Sequence, residues 1–351
     1  MGALLSICVP TFNRPDDLRR LHDSFIARAV AEFDSEVEVI VCDNSDELVA
    51  NRNREVCAVP VGYFWNGENI GFGRNVLQCA VRARGTYLWI ISDNDIVLWN
   101  GFERLLERLR EKSSDCVFVP YVFETLFGER LVNDFGGLKS GPTIRDALVS
   151  LHSYIPFIFL GEAVVRRREE ESWADISGFQ DNNVAQIPLY LGMLRPESSI
   201  SVLEMPAIDY KTEYDSRFNR MKSFDDLLTV VEFMHLQFKV PKSPRIKKIY
   251  RDLLCAFPAD SSRVHRVAGI SSAKRRVISM GFQYLSVRAV PVYLLMFLTK
   301  RLQGFVWIVY MSLRYAIRQK HLGLELPRRF LSGYRMLVLR RYAPFQGDSS
   351  S

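Results

Sequence analysis

The stretch Gly85-Thr86-Tyr87-Leu88-Trp89-Ile90-Ile91-Ser92-Asp93-Asn94-Asp95 is an apolar run that ends in two carboxylates two positions apart. A short β-branched and aromatic run bounded by a glycine and a polar turn reads as a buried strand, Thr86 to Ser92. Where such a strand leaves the β conformation, both carboxylates can converge on one hard divalent cation, which favours oxygen ligands and often shares its shell with phosphates. Asp and Asn also populate turns for conformational reasons. The position of Asp93 and Asp95 therefore says more than their spacing.

Working outward, further apolar runs predict strands at Leu4 to Val9, Glu36 to Cys42, Val61 to Trp65 and Cys116 to Val122. Amphipathic stretches fill the gaps, as βαβ units around a mainly parallel sheet require. One begins at Pro15 and repeats Leu18, Leu21, Phe25 and Ile26 on one face. A second, Gly73 to about Arg84, turns Val76, Leu77 and Ala80 inward, and a third, Phe102 to Arg110, does so with Leu105, Leu106 and Leu109. In open α/β sheets ligands bind outside the carboxyl ends of the strands. Pro10-Thr11-Phe12-Asn13-Arg14 and Asp43-Asn44-Ser45 lie at two such ends, and Asp93-Asn94-Asp95 at a third.

The 351 residues, 48% hydrophobic and 25% charged, exclude a disordered, collagen-like or disulfide-scaffold class. The net charge of +6 hides a division. Residues 1–240 hold 25 basic and 36 acidic residues, net −11, whereas residues 241–351 hold 21 basic and 4 acidic, net +17. A basic back of this kind suits a polyanion, nucleic acid or an anionic membrane. Its apolar runs at 289–299 and 302–313 are each too short to span a bilayer and are split by Lys300-Arg301. With Tyr293, Trp307 and Tyr310 nearby, they resemble helices lying on anionic lipid, or else a hairpin packed on the domain. Because basic residues are interleaved with aliphatic and aromatic runs, lipid is favoured and nucleic acid is not expected. The six cysteines form no C-x-x-C pair and the five histidines no ligand spacing, so buried reduced thiols and ordinary core or surface histidines are expected. The N-terminus lacks a charged leader and an apolar core segment. The protein is therefore expected to be cytoplasmic, peripheral on the inner face of the membrane.

Taken together, Ser6 to Arg14, Val39 to Ser45, Asn69-Ile70-Gly71-Phe72-Gly73-Arg74-Asn75 and Gly85 to Asp95 resemble, in order and spacing, the nucleotide-binding half of the family 2 glycosyltransferases with the GT-A fold. The resemblance covers about residues 4–125. It implies an α/β fold of GT-A type, with a mainly parallel nucleotide-binding sheet flanked by helices and a mostly helical basic C-terminal region. The domain would occupy 1–240, with a nucleotide-sugar half at 1–125 and an acceptor half at 126–240. It implies further that Pro10, Thr11, Asn13, Arg14, Asn44, Gly71 and Asn75 shape the nucleotide-sugar site and that Asp43 accepts a hydrogen bond from the base. A carboxylate there favours UDP, dTDP or GDP over CDP. Arg74 would meet a phosphate or orient Asp93, and Asp93 and Asp95 would hold Mn²⁺ or Mg²⁺, with Asp95 coordinating directly.

An inverting transfer needs a base to deprotonate the acceptor hydroxyl. The family commonly places it in a Glu-Asp pair after a Gly-Phe-Asp-like turn, whereas Ser177-Gly178-Phe179-Gln180-Asp181-Asn182-Asn183 offers only Asp181. Asp181 is the first candidate, with a helix cap before Val184 to Leu194 as its structural alternative, and Glu162 and Asp175 follow. Tyr154, Phe157 and Trp173 could line a sugar site. Arg166-Arg167-Arg168 before Glu169-Glu170-Glu171 reads as a solvated helix face. The expected activity is metal-dependent transfer of a sugar to a lipid-linked saccharide in the synthesis of a bacterial surface polysaccharide. A nucleotidyltransferase of similar fold, or a non-catalytic basic protein that binds membrane or nucleic acid, is the alternative.

Overall fold

A computed structural model describes residues 2–57, 61–124, 130–135, 138, 141, 143–151, 157–168, 174–210, 220–242 and 343–344. By contacts the chain divides into one unit of residues 1–215, 233–240 and 343–351 and another of 216–232 and 241–342. The tail helices and the residues Tyr154, Trp173 and Glu169 to Glu171 lie outside the described residues.

The first strand, β1 (Leu5–Thr11), is buried at every position. A parallel strand covered on both faces has no solvent side, so its apolar run is continuous rather than alternating. After it come α1 (Pro15–Leu21), a π-helical turn at His22–Ile26, and α2 (Ala27–Glu32). The wider turn keeps Phe25 and Ile26 on the buried face shared with Leu18 and Leu21. Next, β2 (Val37–Asp43), α3 (Glu47–Val56) and β3 (Gly62–Trp65) extend the sheet, in register Thr11↔Asp43↔Trp65 at their carboxyl ends. α4 (Phe72–Arg82) buries Val76, Cys79 and Ala80 but leaves Leu77 only half-buried, a correction to its expected inward face.

β4 (Tyr87–Ile90) lies against the other side of β1 and ends two residues earlier than its sequence suggests. A short β5 (Ile96–Val97) and α5 (Trp99–Arg110) follow. Trp89 stacks on Phe102 of α5 at 6.3 Å, and Phe102 meets Phe25 edge-on at 4.8 Å. These rings fill the layer between sheet and helices, where truncating a buried Phe to Ala costs about 3–5 kcal/mol.

The expected single strand from Cys116 to Val122 is instead two. β6 (Cys116–Phe118) belongs to the first sheet and β7 (Tyr121–Glu124) to a second. Pro120 stands at the break, with no N–H to continue a ladder. β8 (Arg130–Asn133), α6 (Ile144–Ser150), β9 (Ala163–Arg166), α7 (Gln186–Met193), β10 (Ile200–Val202), β11 (Ile208–Tyr210), α8 (Arg220–Phe238) and β12 (Ala343–Pro344) complete the described elements. The first sheet has the order β10-β6-β9-β4-β1-β2-β3, parallel except for β9, which runs antiparallel between β4 and β6. The second has the order β12-β8-β7-β11-β5. α7 is buried all round, as a helix without a polar face must be. Arg166 closes β9 rather than facing solvent on a helix; it donates to the Tyr87 hydroxyl and pairs with Asp115 at 3.2 Å. Among the described residues no helix is long and apolar enough to cross a membrane.

Candidate functional site

Polar residues collect where β1, β2, β3 and β4 end. Thr11 Oγ1 donates to Asp93 Oδ2 at 2.7 Å, and Arg14 Nη1 donates to Asp93 Oδ1 at 3.0 Å. Asp93 is 2% exposed, and burial pushes its carboxyl above the usual range while Arg14 and Thr11 pull it back. Arg20 of α1 donates to the Asn94 carbonyl at 3.1 Å, and Ser92 Oγ to Asn94 Oδ1 at 2.5 Å. The turn between the two aspartates is thus pinned from β1, from α1 and from within. Arg14, rather than Arg74, orients Asp93.

The end of β2 works differently. Asp43 is fully buried: Oδ1 accepts from the Ser45 N–H at 2.7 Å, and Oδ2 accepts from Asn53 Nδ2 and the Tyr63 hydroxyl, each at 2.7 Å. The side chain that the sequence offers to a nucleobase is engaged by the protein itself and holds the Asn44-Ser45 loop. Around it runs a ladder of neutral amides. Asn66 Nδ2 donates to Asn44 Oδ1 at 2.9 Å and to Asn75 Oδ1 at 2.8 Å, while Asn75 Nδ2 donates to the carbonyls of Thr11 and Cys42. Asn44 Nδ2 in turn reaches the Gly71 carbonyl at 3.1 Å. Asn13, at φ 54°, clasps the neighbouring loop by donating its N–H to Ser45 Oγ at 2.8 Å. Asn tolerates that left-handed conformation better than most residues.

Beside this ladder opens a cleft of about 470 Å³ lined by Phe12, Asn13, Asn44, Ser45, Asp46, Glu47, Trp65, Gly67, Glu68 and Asn69. A planar group would find two aromatic side chains, Phe12 and Trp65, and three amides there, with Asp46, Glu47 and Glu68 at its rim. Pro10, within buried β1, and Gly71, at φ 90° before α4, do not line the cleft. Asn66 carries no signal in the sequence, because a lone asparagine in a loop has no pattern, and Asn69 stands in the Asn69 to Asn75 segment without a role of its own.

At the start of α4, a Cβ on Gly73 would lie 2.8 Å from the Asn182 carbonyl oxygen and closer still to that of Gln180. Only glycine lets the Gln180 to Asn182 turn approach so closely. Arg74 Nε then reaches Asp181 Oδ1 at 3.0 Å, with both side chains at least half exposed. Arg74 therefore meets Asp181 and not Asp93. Asp181 does not cap the following helix either: Asn182 Oδ1 accepts the Val184 N–H, and Ala185 precedes α7. Asp175 accepts from the Ser177 N–H and hydroxyl, which hold its carboxyl below the usual range, and serves that local turn. Phe157 is buried and stacks on Phe118 at 5.5 Å, so it is core rather than sugar site.

Glu162 comes to the same end of the sheet as the aspartates. β9 pairs with β4 with Val164 opposite Trp89, which sets Glu162 beside Ile91, and its carbonyl accepts the Val119 N–H at 2.8 Å. It is 1% exposed, as is Asp95. In the second sheet Ile208 faces Val97 and Asp209 faces Ile96, so Tyr210 ends β11 next to the residue that precedes β5, Asp95. Burial, then Asp95 and then Glu162 raise the Tyr210 phenol above its usual range, against a smaller pull from Arg14. Nothing in the sequence links Tyr210 to Asp95.

Carboxylate oxygens suit Mn²⁺ or Mg²⁺. Asp93 accepts from Thr11 and Arg14, and Asp95 is buried two residues further on, so the turn places two carboxylates where a divalent cation could be held. Among the described residues no three His, Cys, Asp or Glu side chains group tightly enough to hold an ion alone. The donor set fits a cation that shares its shell with phosphates.

A mainly parallel sheet, an aromatic cleft at its carboxyl edge and an Asp-x-Asp turn beside it define a GT-A type α/β domain. Residues 6–168 match the model of Glycosyl transferase family 2. The curated protein Abequosyltransferase RfbV of Salmonella typhimurium is 31% identical over 96 residues, 26% of this chain and 28% of its own length. TarS 1-349 of S. aureus shares the fold at TM-score 0.53 and 12% identity, covering 92% of both chains. The same protein in complex with UDP-GlcNAc superimposes at TM-score 0.52, again with 12% identity, and 92% and 93% of the two chains are covered.

Proposed function

We propose that the chain transfers a sugar from a nucleotide-diphosphate donor to a saccharide hydroxyl, using the β1–β3 cleft for the nucleoside and the Asp93-Asn94-Asp95 turn for the diphosphate. The observation that carries this reading is the Thr11–Asp93–Arg14 contact, which fixes the turn at the carboxyl edge beside an aromatic cleft. Phe12 and Trp65 offer faces to a base, and the amides of Asn13, Asn44 and Asn69 offer both donors and acceptors. Asp43 acts as the brace that holds Asn44 and Ser45 in place. With its carboxylate so engaged, the preference for UDP, dTDP or GDP over CDP loses its basis, and all four belong in the test.

A divalent cation held by Asp95 would neutralise the diphosphate as it leaves. Arg14 stands ready to exchange part of its hold on Asp93 for a phosphate oxygen. Asp181 is the first choice for the base in a direct, inverting displacement, because its exposed carboxylate can reach an incoming hydroxyl. Glu162 is second, favoured by its place beside Asp95 and Tyr210. Loss of about 10²-fold in kcat for Asp181→Ala, with Glu162→Gln nearer wild type, identifies Asp181. The reverse ranking selects Glu162. The +17 tail supports docking on an anionic membrane that presents a lipid-linked acceptor on its cytoplasmic face, in surface polysaccharide synthesis. Flotation with anionic but not neutral liposomes tests that part.

Calorimetry with UDP, dTDP, GDP and CDP, each with and without Mn²⁺, tests the donor site on wild type and Asp95→Ala. Metal-dependent binding of one nucleotide, lost in the variant, is the expected result. No binding under any condition sinks the reading.

A further inference from the structure

Four aromatic side chains crowd one face of the second sheet. Tyr210 lies 4.5 Å from Phe159, centroid to centroid; Tyr121 lies 5.7 Å from Phe159, 6.4 Å from Tyr210 and 6.0 Å from Phe123. Tyr121 is buried and anchors the group, whereas Tyr210, Phe159 and Phe123 are part-exposed. Register explains the grouping. β11 runs parallel to β7 with Tyr210 beside Phe123, and antiparallel to β5 with Asp209 opposite Ile96, so that Tyr210 and Asp95 each follow the last paired position at the same end. The cluster therefore borders the two buried carboxylates, Asp95 and Glu162, and does not line the β1–β3 cleft.

Such a wall has a chemical use. A pyranose carries polarised C–H groups on one face, and the face of an aromatic ring carries partial negative charge. Hydroxyls at the edge of the sugar would find carboxylate acceptors beside the wall. The nucleoside cleft is built from the ends of β1 to β3, so a sugar on Tyr210 approaches Asp95 from the other sheet. That is the side an acceptor must take if the donor diphosphate sits at the Asp93-Asn94-Asp95 turn.

We infer that Tyr210, backed by Phe159 and Phe123, is the wall on which the acceptor saccharide packs its C–H face next to Asp95. The inference rests on the donor-site reading above. Tyr210 is a specificity-determining residue in this role, selecting acceptors with an uninterrupted C–H face.

Saturation-transfer NMR on the full chain tests it, with the methyl glycosides of glucose, galactose, mannose and rhamnose as probes and saturating nucleotide present. Wild type should transfer saturation to the ring C–H protons of at least one glycoside. In Tyr210→Ala and in Phe159→Leu, which keeps apolar volume but removes the ring, affinity should fall about three- to tenfold, the value of one aromatic contact. Tyr210→Phe should retain it. Melting temperature and nucleotide calorimetry on each variant show that the fold and the cleft survive. Saturation of no glycoside by wild type, or equal saturation by wild type and both ring-removing variants, overturns the inference. Nucleotide binding alongside such a flat response would sink the wall alone. Absence of nucleotide binding in wild type would instead sink the donor site on which it rests.

Discussion

The ends of β2 and β4 both carry a buried aspartate, and they use it in opposite ways. Asp43 gives both oxygens to neutral donors, Ser45, Asn53 and Tyr63, within a ladder of amides. Asp93 gives one oxygen to the Thr11 hydroxyl and the other to a cation, Arg14, whose side chain is 24% exposed. A carboxylate satisfied by three neutral donors from its own loop, helix and neighbouring strand is a brace, since displacing them together takes the loop apart. A carboxylate held by a part-exposed guanidinium can exchange partners when an anion arrives. Proximity to a ligand does not separate the two residues; the mobility of their partners does.

The largest effect expected on the exchangeable side is for Asp95→Ala. If Asp95 holds the cation as proposed, its loss should lower transfer by about a thousandfold, near 4 kcal/mol of transition-state stabilisation, a loss larger than any change in urea unfolding accounts for. Asp43→Ala should do the converse. It strands three donors, Ser45 and Asn53 buried and Tyr63 part-exposed, and should cost about 3 kcal/mol in urea unfolding, and any loss of nucleotide binding should follow unfolding. If Asp43→Ala instead leaves stability intact and abolishes binding of a single nucleotide, the brace reading fails and the residue touches the base after all.

Arg14→Ala probes the middle ground. Asp93 already has its carboxyl raised above the ordinary aspartate range, chiefly by burial, so the native state holds its proton more tightly than the unfolded chain does. Its contribution to stability is then full below that range and declines as pH rises through the native pKa. Removing Arg14 takes away the main opposing charge and raises the native pKa further. The stability deficit of the variant should therefore be small near pH 4 and widen toward pH 7, on the order of 1–2 kcal/mol. A deficit that is constant across pH, or that narrows as pH rises, would show that Arg14 does not hold Asp93.

These contrasts bear on what the sequence made legible. β1, β2 and β4 were readable because a parallel strand buried on both faces is an unbroken apolar run, and the polar clusters after them marked the crevice. The break at Pro120 was written in the chain, but the apolar residues on both sides masked it. The second sheet was not readable: Ile96–Val97 and Ile208–Tyr210 are too short to show a period, and their pairing is what joins Tyr210 to Asp95. Asp43 looked like a ligand because strand-end carboxylates often are. Its partners Asn53 and Tyr63 emerge only when α3 packs beside β3. Arg74 looked like a phosphate ligand from the family resemblance, until the close approach at Gly73 brought Asp181 to it.

The smallest effect expected is for that last pair, and it is the sharpest test of the boundary between the two halves. Arg74 and Asp181 are 50% and 77% exposed, so their ion pair is screened, and Arg74→Ala should change unfolding free energy by less than about 0.5 kcal/mol. The bridge nevertheless ties the first turn of α4, on the nucleotide side, to the turn that carries the candidate base. If its role is to aim Asp181, Arg74→Ala should lower kcat while nucleotide affinity stays at the wild-type value, and Arg74→Lys should recover part of the loss. If Arg74 meets a phosphate during turnover, nucleotide affinity should fall together with kcat and weaken further with salt. Calorimetry and steady-state rates on the two variants separate these outcomes, because a guanidinium that serves Asp181 leaves the bound nucleotide untouched.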